Sequence, residues 1–440
     1  MIFHQFLNDD LGCACYLIGD EAAGIAVLVD PPFAIEPLLA EADRRGVRIV
    51  RTIETHTHAD HVSGHGRLAL EHGIPVSIHA VAGVDYPHDP LEDGDTIEVG
   101  AVTLGVIHTP GHRPEHCCLT VVDTSRGDEP WLVLTGDSLF VGDAARPDLA
   151  VGAQEGAEGL FHSLRRLLEL SDGVEVFPGH VAGSLCGKSM SSKGSTTIGF
   201  ERRFNPTLQL TEVDDFIADA AAITAPKPPN LARIVDANRG PFVGAAPLAQ
   251  ELAAPPSDAQ LLDVRQASQH LAGHRPGAVN VPVSGSSFAT KAGFVVDAGR
   301  PVCILAESFD EAQRAVHGLN SVAFFDIPGY VLGGGDERTE AVDIDELEEL
   351  IAAGVTVIDV REDDERDEGT IPGSLGIPYR AVADADLPNG RPVVTICESG
   401  ARAVIAASVL RARGLDARPV VDGGLGEWRT RGGELVRSGS

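Results

Sequence analysis

Metal-ligating side chains are concentrated in one short stretch of the sequence, His56-Thr57-His58-Ala59-Asp60-His61, which holds three imidazoles and one carboxylate. The stretch follows an apolar run, 47–53, that predicts a strand, and it precedes a segment, 62–72, that predicts a helix. Ligands on such a strand-to-helix turn converge on one point. Imidazole and carboxylate together suit zinc or iron rather than calcium or magnesium, so we expect a metal centre here.

Three more candidate ligands, His112, Asp137 and His180, each follow a predicted strand and stand directly after a glycine. A glycine lets the backbone turn sharply, so that the next side chain can point back at the strand ends. With the first cluster they predict one pocket along one edge of a sandwich. The other histidines before residue 181 lack this setting, and we expect them to be structural or surface residues: His4, His65, His72, His79, His88, His108, His116 and His162.

Composition limits the class of protein. The chain has 440 residues, 43% of them hydrophobic, and a formal net charge of -31, so we expect several globular domains and neither nucleic acid nor a membrane as a partner. The N-terminal residues do not form a basic segment followed by an apolar one, and no apolar run reaches about 18 residues. We therefore expect a cytoplasmic protein. The seven scattered cysteines do not describe a disulfide framework, and four of them are expected to be buried thiols: Cys13, Cys15, Cys117 and Cys118.

The N-terminal half predicts a β-sandwich with helices packed outside, because short β-rich runs alternate with two or three helical segments. The helix predicted over 159–170 has its apolar residues on one face. A proline-rich segment, 240–256, predicts a linker at the exit from this domain. The runs predicted as strands are 15–18, 25–29, 76–79, 102–108, 119–122, 131–135 and 174–177.

The second half of the chain repeats itself. The run 261–265 returns as 357–361, with an offset of 96 from Asp263 to Asp359, and a later run returns with an offset of 91 from Arg300 to Arg391. Two copies of one α/β domain of about a hundred residues are therefore expected after the linker.

These copies resemble rhodanese domains, and the second carries the loop Cys397-Glu398-Ser399-Gly400-Ala401-Arg402, whose length matches sulfurtransferases. The loop amides of 398–401 and the N-terminus of a helix predicted over 403–413 both favour an anion. The Cys397 thiol should therefore ionise readily and hold a persulfide, with Arg402 beside sulfite or thiosulfate. The alternative is a buried, inert cysteine.

The first copy has Ala306 where the second has Cys397, and Cys303 lies three residues earlier, inside the predicted strand. Cys303 therefore cannot substitute for the missing cysteine. We expect the first copy to be an inactive rhodanese.

The N-terminal half resembles the metallo-β-lactamase superfamily, in the branch that contains glyoxalase II and the persulfide dioxygenases. Its seven candidate ligands fill every position of a two-metal hydrolase site, so the motif leaves open a dinuclear zinc hydrolase and a mononuclear iron dioxygenase. The dioxygenases imply that His56, His112 and Asp137 bind one Fe(II) per chain and leave positions open for a thiolate and O2. The remaining four would then orient ligands or handle protons: His58, Asp60, His61 and His180.

The order of these domains resembles bacterial persulfide dioxygenase–rhodanese fusions. The resemblance implies a metallo-β-lactamase αββα sandwich over 1–241, an inactive rhodanese-like α/β domain over 242–338 and a sulfurtransferase over 339–440. The implied activity is oxidation of a low-molecular-weight thiol persulfide by O2 to sulfite and thiol. It would be coupled at Cys397 to the interconversion of persulfide and sulfite with thiosulfate, in a homo-oligomer.

Two rival functions remain. One is a di-zinc, glyoxalase II-like thioester hydrolase fused to a rhodanese, which the seven filled ligand positions allow. The other is a non-enzymatic sulfur carrier or sensor that only binds persulfide.

Two residues near the metal ligands are open to more than one interpretation. Arg146 matches an arginine that helps to bind the substrate in the family, or it is a surface arginine. Cys186 lies in a loop, 183–199, that resembles the bacterial fusions, and it either holds or relays sulfur near the iron or is only a loop thiol. The tyrosine of glutathione-using members is absent here, which argues against glutathione persulfide as the substrate.

Overall fold

The computed structural model describes residues 1–8, 10–147, 152–181, 191–221, 227–387 and 392–437. The chain divides into two compact units, one of Met1–Ala246 with Asn320–Ala323, and one of Pro247–Leu319 with Phe324–Ser440. The N-terminal unit is a sandwich of two six-stranded sheets, and the C-terminal unit contains two four-stranded sheets. The predicted fold class is confirmed, whereas the three predicted domain boundaries stay a prediction.

The first sheet of the sandwich contains β1 (Ile2–Leu7), β2 (Ala14–Asp20), β3 (Ile25–Val29), β4 (Arg48–Ile53), β5 (Val76–His79) and β6 (Asp89–Leu91). The strands lie in chain order, antiparallel from β1 to β3 and parallel from β3 to β6. Parallel neighbours need crossover connections. Helices α1 (Glu36–Arg45) and α2 (His65–His72) provide two of them and cover the outer face of the sheet.

The second sheet has the order β14-β13-β10-β9-β8-β7, with a two-stranded hairpin beside it. Its strands and the hairpin are β7 (Thr96–Val99), β8 (Val102–His108), β9 (Cys117–Asp123), β10 (Leu132–Gly136), β11 (Leu139–Phe140), β12 (Asp143–Ala144), β13 (Glu175–Pro178) and β14 (Thr196–Thr197). The helices of this half are α3 (Ala153–Leu167), α4 (Ile198–Phe204), α5 (Val213–Ala221) and α6 (Leu231–Arg239). Residues of α3 and α5 pack on its outer face.

Alternation of side chains along the strands builds the sandwich. In β2, Tyr16 and Ile18 belong to the core between the sheets, while Cys15 and Leu17 pack outward against the helices. In β9 the adjacent thiols separate in the same way, Cys117 inward and Cys118 outward. Successive side chains of a strand point to opposite faces, so both faces of each sheet are buried. The expectation that these cysteines are buried thiols is confirmed for all four.

Two helix boundaries differ from the prediction. The helix predicted over 159–170 spans Ala153–Leu167. Its first turn consists of small and polar residues, so the apolar pattern did not reveal it. Gly156 and Ala157 are nevertheless buried. The helix predicted over 62–72 starts at His65. The Ser63 amide donates instead to the side chain of Asn238 at 2.8 Å, which holds that segment outside the helix.

The C-terminal unit confirms the internal repeat in its strand order. The two parallel sheets are ordered β16-β15-β17-β18 and β20-β19-β21-β22. Their strands are β15 (Gln260–Asp263), β16 (Ala278–Asn280), β17 (Val302–Ala306), β18 (Gly329–Leu332), β19 (Thr356–Asp359), β20 (Leu375–Gly376), β21 (Val393–Ile396) and β22 (Ala417–Pro419). Their helices are α7 (Ala267–Ala272), α8 (Phe288–Val295), α9 (Phe309–Asn320), α10 (Ile344–Ala352), α11 (Asp363–Asp367), α12 (Ala401–Ala412) and α13 (Gly424–Thr430).

Across the described residues, no helix combines the length and the apolar character needed to cross a membrane.

Tyr16 links the core of the sandwich to the strand that carries His180. Its hydroxyl donates to the Pro178 carbonyl at 2.5 Å and accepts from the Gln5 side chain at 3.2 Å. We expect Tyr16→Phe to lower the free energy of unfolding of the N-terminal unit by about 1–3 kcal/mol, because it leaves a buried carbonyl unsatisfied. Denaturant unfolding should show this loss as a lower midpoint for the N-terminal unit. The control Tyr330→Phe, in the other unit, should leave that midpoint unchanged. The same midpoint for the N-terminal unit in both variants would contradict this role of Tyr16.

Candidate metal centre and cysteine loop

The candidate ligands lie at the carboxyl ends of strands that run in the same direction. Strands β8, β10 and β13 are mutually parallel in the second sheet, and His112, Asp137 and His180 follow them. In the first sheet β4 ends just before the 54–61 segment. Parallel strands place their carboxyl ends at the same edge, which is why residues distant in sequence meet there.

Three of the seven candidate ligands form a compact set. Ligand atoms of His56, His112 and Asp137 all lie within 4.8 Å of one another, and the three residues are buried. His112 Nε2 is 3.6 Å from Asp137 Oδ2. The buried atoms His56 Nε2 and Asp137 Oδ2 have no hydrogen-bond partner among the described residues.

Hydrogen bonds fix the direction in which His56 offers its lone pair. The Thr55 hydroxyl donates to Asp30 Oδ2 at 2.8 Å and therefore accepts from His56 Nδ1 at 2.9 Å. Nδ1 then carries the proton, and Nε2 is left with its lone pair. Burial lowers the pKa of His56 well below its ordinary value, which keeps the ring neutral, as a metal ligand must be.

His112 is oriented in the same way by a backbone carbonyl. Its Nδ1 donates to the Arg146 carbonyl at 3.0 Å, which leaves Nε2 for a metal, and burial lowers the pKa of the ring. The Arg146 side chain is 2% exposed, so this residue is not a surface arginine. Its role in substrate binding stays a prediction.

His180 is held between two carboxylates. Its Nδ1 is 2.6 Å from Asp137 Oδ1, and its Nε2 is 2.7 Å from Asp60 Oδ2. Burial disfavours the charged ring, but the two carboxylates outweigh it and raise the pKa of His180 to about 10. Both ring nitrogens therefore donate, and Asp137 has one oxygen bound to His180 and the other free.

The remaining ligand candidates form a second group. Ligand atoms of His58, Asp60 and His61 also lie within 4.8 Å of one another, and His61 Nδ1 is 3.2 Å from Asp60. His58 Nε2 lies 3.2 Å from Glu54 and 3.3 Å from Asp30. A second metal would need Asp60 and His61 of this group.

Glycines make the approach of the ligands possible. A β-carbon on Gly136, whose φ is +44°, would lie 2.7 Å from His116 Nε2 and from Thr55 Oγ1. One on Gly179 would lie 2.6 Å from Asp137 Oδ1. At Gly111, with φ of +154°, it would lie 2.5 Å from the backbone of Leu160. Each glycine before a ligand is required by a close contact or by its backbone conformation.

Several residues that position the ligands are missing from the sequence prediction. His116, expected to be structural or on the surface, is buried, and its Nε2 accepts from the Asp137 amide at 3.0 Å while Nδ1 bonds the Thr109 hydroxyl at 2.8 Å. Burial lowers the pKa of His116 to about 3, which keeps that nitrogen an acceptor. Asp30 and Glu54 follow β3 and β4 directly. That position is the same signal that identified the ligands, and it could have identified these two carboxylates.

The donor set fits a metal. Each buried polar atom without a partner costs about 1–3 kcal/mol, and the two partnerless atoms of the His56, His112 and Asp137 set point at one space. The charge of His180 and its hydrogen bond lower the pKa of the Asp137 carboxyl despite its burial. Two neutral imidazoles and one carboxylate are the protonation states that a divalent transition metal requires.

The cysteine loop of the second copy joins β21 to α12. Cys397 is buried, and its sulfur accepts from the Gly400 amide at 3.2 Å. Gly400 has φ of +99° at the start of α12, a conformation that favours glycine. Glu398 pairs with Arg429 at 3.0 Å, Ser399 and Ala401 are exposed, and Arg402 pairs with Glu365.

The first copy places Ala306 at the corresponding end of β17, with Cys303 inside that strand and buried. This agrees with the expectation that Cys303 cannot replace the missing cysteine. Cys186 lies outside the described residues.

Gly136→Ala tests whether the close approach of Thr55 and His116 builds the metal centre. We expect the variant to lose most of its bound metal, because the new β-carbon displaces both side chains and the Asp137 backbone. Gly173→Ala is the control, since a β-carbon there meets nothing within 4 Å. Metal content of the two purified proteins by mass spectrometry checks this, and equal metal content would refute it.

Residues 8–180 match the metallo-beta-lactamase superfamily, and residues 343–431 match the rhodanese-like domain. The human mitochondrial persulfide dioxygenase ETHE1 is 31% identical over 226 residues, covering 51% of this chain and 82% of that protein. An uncharacterized protein of Mycobacterium leprae is 34% identical over 237 residues, which are 48% of this chain and 99% of that protein.

A solved structure extends the likeness further along the chain. The crystal structure of a metallo-beta-lactamase from Staphylococcus aureus is 28% identical, with a TM-score of 0.70, and the match covers 76% of this chain and 99% of that one. The chain therefore belongs to the metallo-beta-lactamase superfamily and carries a rhodanese-like domain in its C-terminal part.

Proposed function

We propose that the protein is a mononuclear non-haem iron persulfide dioxygenase joined to a sulfurtransferase. It oxidises a low-molecular-weight thiol persulfide with O2 and water to the thiol and sulfite. His56, His112 and Asp137 hold one ferrous ion per chain, which supplies the redox chemistry that couples O2 to oxidation of the outer sulfur. The likeness to persulfide dioxygenases supports the substrate class.

The observation that carries the single-metal proposal is the position of His180. Its two ring nitrogens lie 2.6 Å from Asp137 Oδ1 and 2.7 Å from Asp60 Oδ2, which supports a role in orienting Asp137 rather than one as a ligand. Asp137 then offers Oδ2, which has no hydrogen-bond partner among the described residues, to a metal. Two imidazoles and one carboxylate oxygen then leave one face of the metal open to substrate and O2.

A di-zinc thioester hydrolase is the second candidate, and the group of His58, Asp60 and His61 favours it. His58 Nδ1 and His61 Nε2 are buried without a partner among the described residues. Filling that second position would require Asp60 and Asp137 to release His180. The two candidates therefore differ in the number of metals and in the partners of one histidine.

The cysteine loop supports the second activity. In the proposed transfer the Cys397 thiolate attacks the outer sulfur of a persulfide anion, the S–S bond of the donor breaks, and the leaving thiolate takes a proton from water. Sulfite then takes this sulfur from Cys397, which releases thiosulfate and restores the thiolate. The Gly400 amide, 3.2 Å from the sulfur, stabilises its negative charge at the start of α12. The first rhodanese-like copy has no such cysteine and is proposed to be inactive.

The dioxygenase proposal predicts one iron and little zinc per chain after anaerobic purification, and O2 consumption when a thiol persulfide is added. His112→Ala should reduce O2 consumption at least a hundredfold, because it removes one ligand of the metal. His72→Ala, on the exposed end of α2, is the matched control and should retain it. Two zinc ions per chain with thioester hydrolysis and no O2 consumption would identify the hydrolase instead.

The coupled transfer predicts a change of product in Cys397→Ser. The wild type should release thiosulfate together with sulfite from a persulfide, whereas the variant should release sulfite alone at an unchanged rate of O2 uptake. Cys303→Ser is the control, because that thiol is buried inside β17. Chromatography of the sulfur anions measures the ratio, and the same ratio in all three proteins would rule out coupling.

A further inference from the structure

The arginine of the cysteine loop is already bound to a carboxylate. Arg402 Nη1 and Nη2 donate to the two oxygens of Glu365 at 2.5 and 2.6 Å, in the bidentate arrangement that gives the strongest guanidinium–carboxylate pairs. The pair is partly sheltered, with the arginine side chain 22% exposed and the glutamate 34% exposed. A small anion that enters beside Cys397 therefore meets a neutral pair instead of a free positive charge.

Other charges around the loop do not restore an attraction for anions. Arg429 is paired with Glu398 of the loop itself at 3.0 Å, and Arg380 is paired with Glu362 at 2.8 Å. Arg361 is held by Asp359 at 2.8 Å. Helix α11, which supplies Glu365, is acidic along its length, with the sequence Asp363-Asp364-Glu365-Arg366-Asp367. Each of these guanidinium groups has a carboxylate, and the helix adds further negative charge.

We propose that Glu365 is a specificity-determining residue of the cysteine loop: by occupying Arg402 it weakens the binding of thiosulfate, so that thiosulfate leaves as a product and monoanionic thiol persulfides are the sulfur donors of Cys397. This inference rests on the proposed sulfurtransferase function and names its preferred sulfur donor. A persulfide brings one negative charge at its sulfur, to which the Gly400 amide can donate. Thiosulfate brings two charges, and the guanidinium groups named above, among the described residues around the loop, are all paired with carboxylates.

The chemistry of the two donors is otherwise the same. In both, the Cys397 thiolate attacks the outer sulfur and the S–S bond of the donor breaks. The leaving group is the thiolate of the donor, which takes a proton from water, in one case and sulfite in the other. No oxidant or reductant is needed in either transfer. Because the leaving groups differ, binding is judged from the change in KM for each donor when Glu365 is replaced.

Glu365→Gln tests the proposal, because it removes the negative charge. It keeps a side-chain oxygen that can accept the hydrogen bond that the Glu362 amide donates to Glu365. We expect the KM for thiosulfate to fall about tenfold, with kcat and the KM for the persulfide changed less than threefold. Glu346→Gln is the matched control. Glu346 forms a bidentate pair with Arg418 at 2.6 and 3.0 Å, with 37% and 22% exposure, away from the cysteine loop.

A binding measurement without turnover separates this inference from the function on which it rests. Inorganic sulfate, a non-reactive dianion, should protect Cys397 from alkylation by iodoacetamide at about tenfold lower concentration in Glu365→Gln than in the wild type and in Glu346→Gln. Mass spectrometry of the Cys397 peptide gives the extent of alkylation, and thermal unfolding verifies that both variants are folded.

The outcomes are distinguishable. Equal protection by sulfate in the three proteins, or weaker protection in Glu365→Gln, overturns the inference, and the latter would mean that Glu365 presents Arg402 to the anion. Absence of sulfur transfer from any donor in the wild type overturns the proposed sulfurtransferase function. The sulfate experiment then still shows whether Glu365 weakens the binding of a dianion beside Cys397. In Glu365→Asp, which shortens the side chain, protection of Cys397 by sulfate should be intermediate between that in the wild type and that in Glu365→Gln. Weaker protection than in the wild type also counts against the inference.

Discussion

The contact of His180 with two carboxylates is the interaction on which the metal centre depends. With Asp137 at 2.6 Å and Asp60 at 2.7 Å, it joins the carboxylate after β10 to the cluster after β4. One oxygen of Asp137 thereby accepts a hydrogen bond from His180. The other oxygen belongs to the compact set with His56 and His112. Of the seven ligands that the sequence offers, His56, His112 and Asp137 form one compact, buried set.

The sandwich creates that contact by bringing the ends of parallel strands together. Glycines, which have no β-carbon, occupy the points of closest approach. Gly136 and Gly179 leave room where a β-carbon would collide with Thr55, His116 or Asp137. Buried atoms without partners are costly, so the arrangement is maintained by packing on both faces of each sheet. The metal offsets part of that cost when it binds.

Local patterns in the sequence predicted much of this. Short apolar runs and turn residues located the central strands, because those strands are buried on both faces, and the glycine-ligand pairs located the pocket. What could not be predicted is which ligands pair with each other: the same His-x-His-x-Asp-His motif is compatible with one metal or two, and the contacts of His180 with Asp137 and Asp60 join residues 43 and 120 positions apart in the sequence. The Glu365–Arg402 pair joins segments 37 residues apart, and no local pattern signals it. The strands β1, β6 and β7, which lie at the edges of their sheets, were missed because edge strands carry a weak apolar pattern.

A crystal structure of the protein prepared anaerobically with Fe(II), with anomalous data collected at the iron edge, tests the central claim most directly. The account predicts one anomalous peak per chain, bound by His56 Nε2, His112 Nε2 and a single oxygen of Asp137, with His180 still between Asp137 and Asp60. A second peak of equal height bound by Asp60, His61 and His180, with Asp137 bridging the two ions, would contradict it.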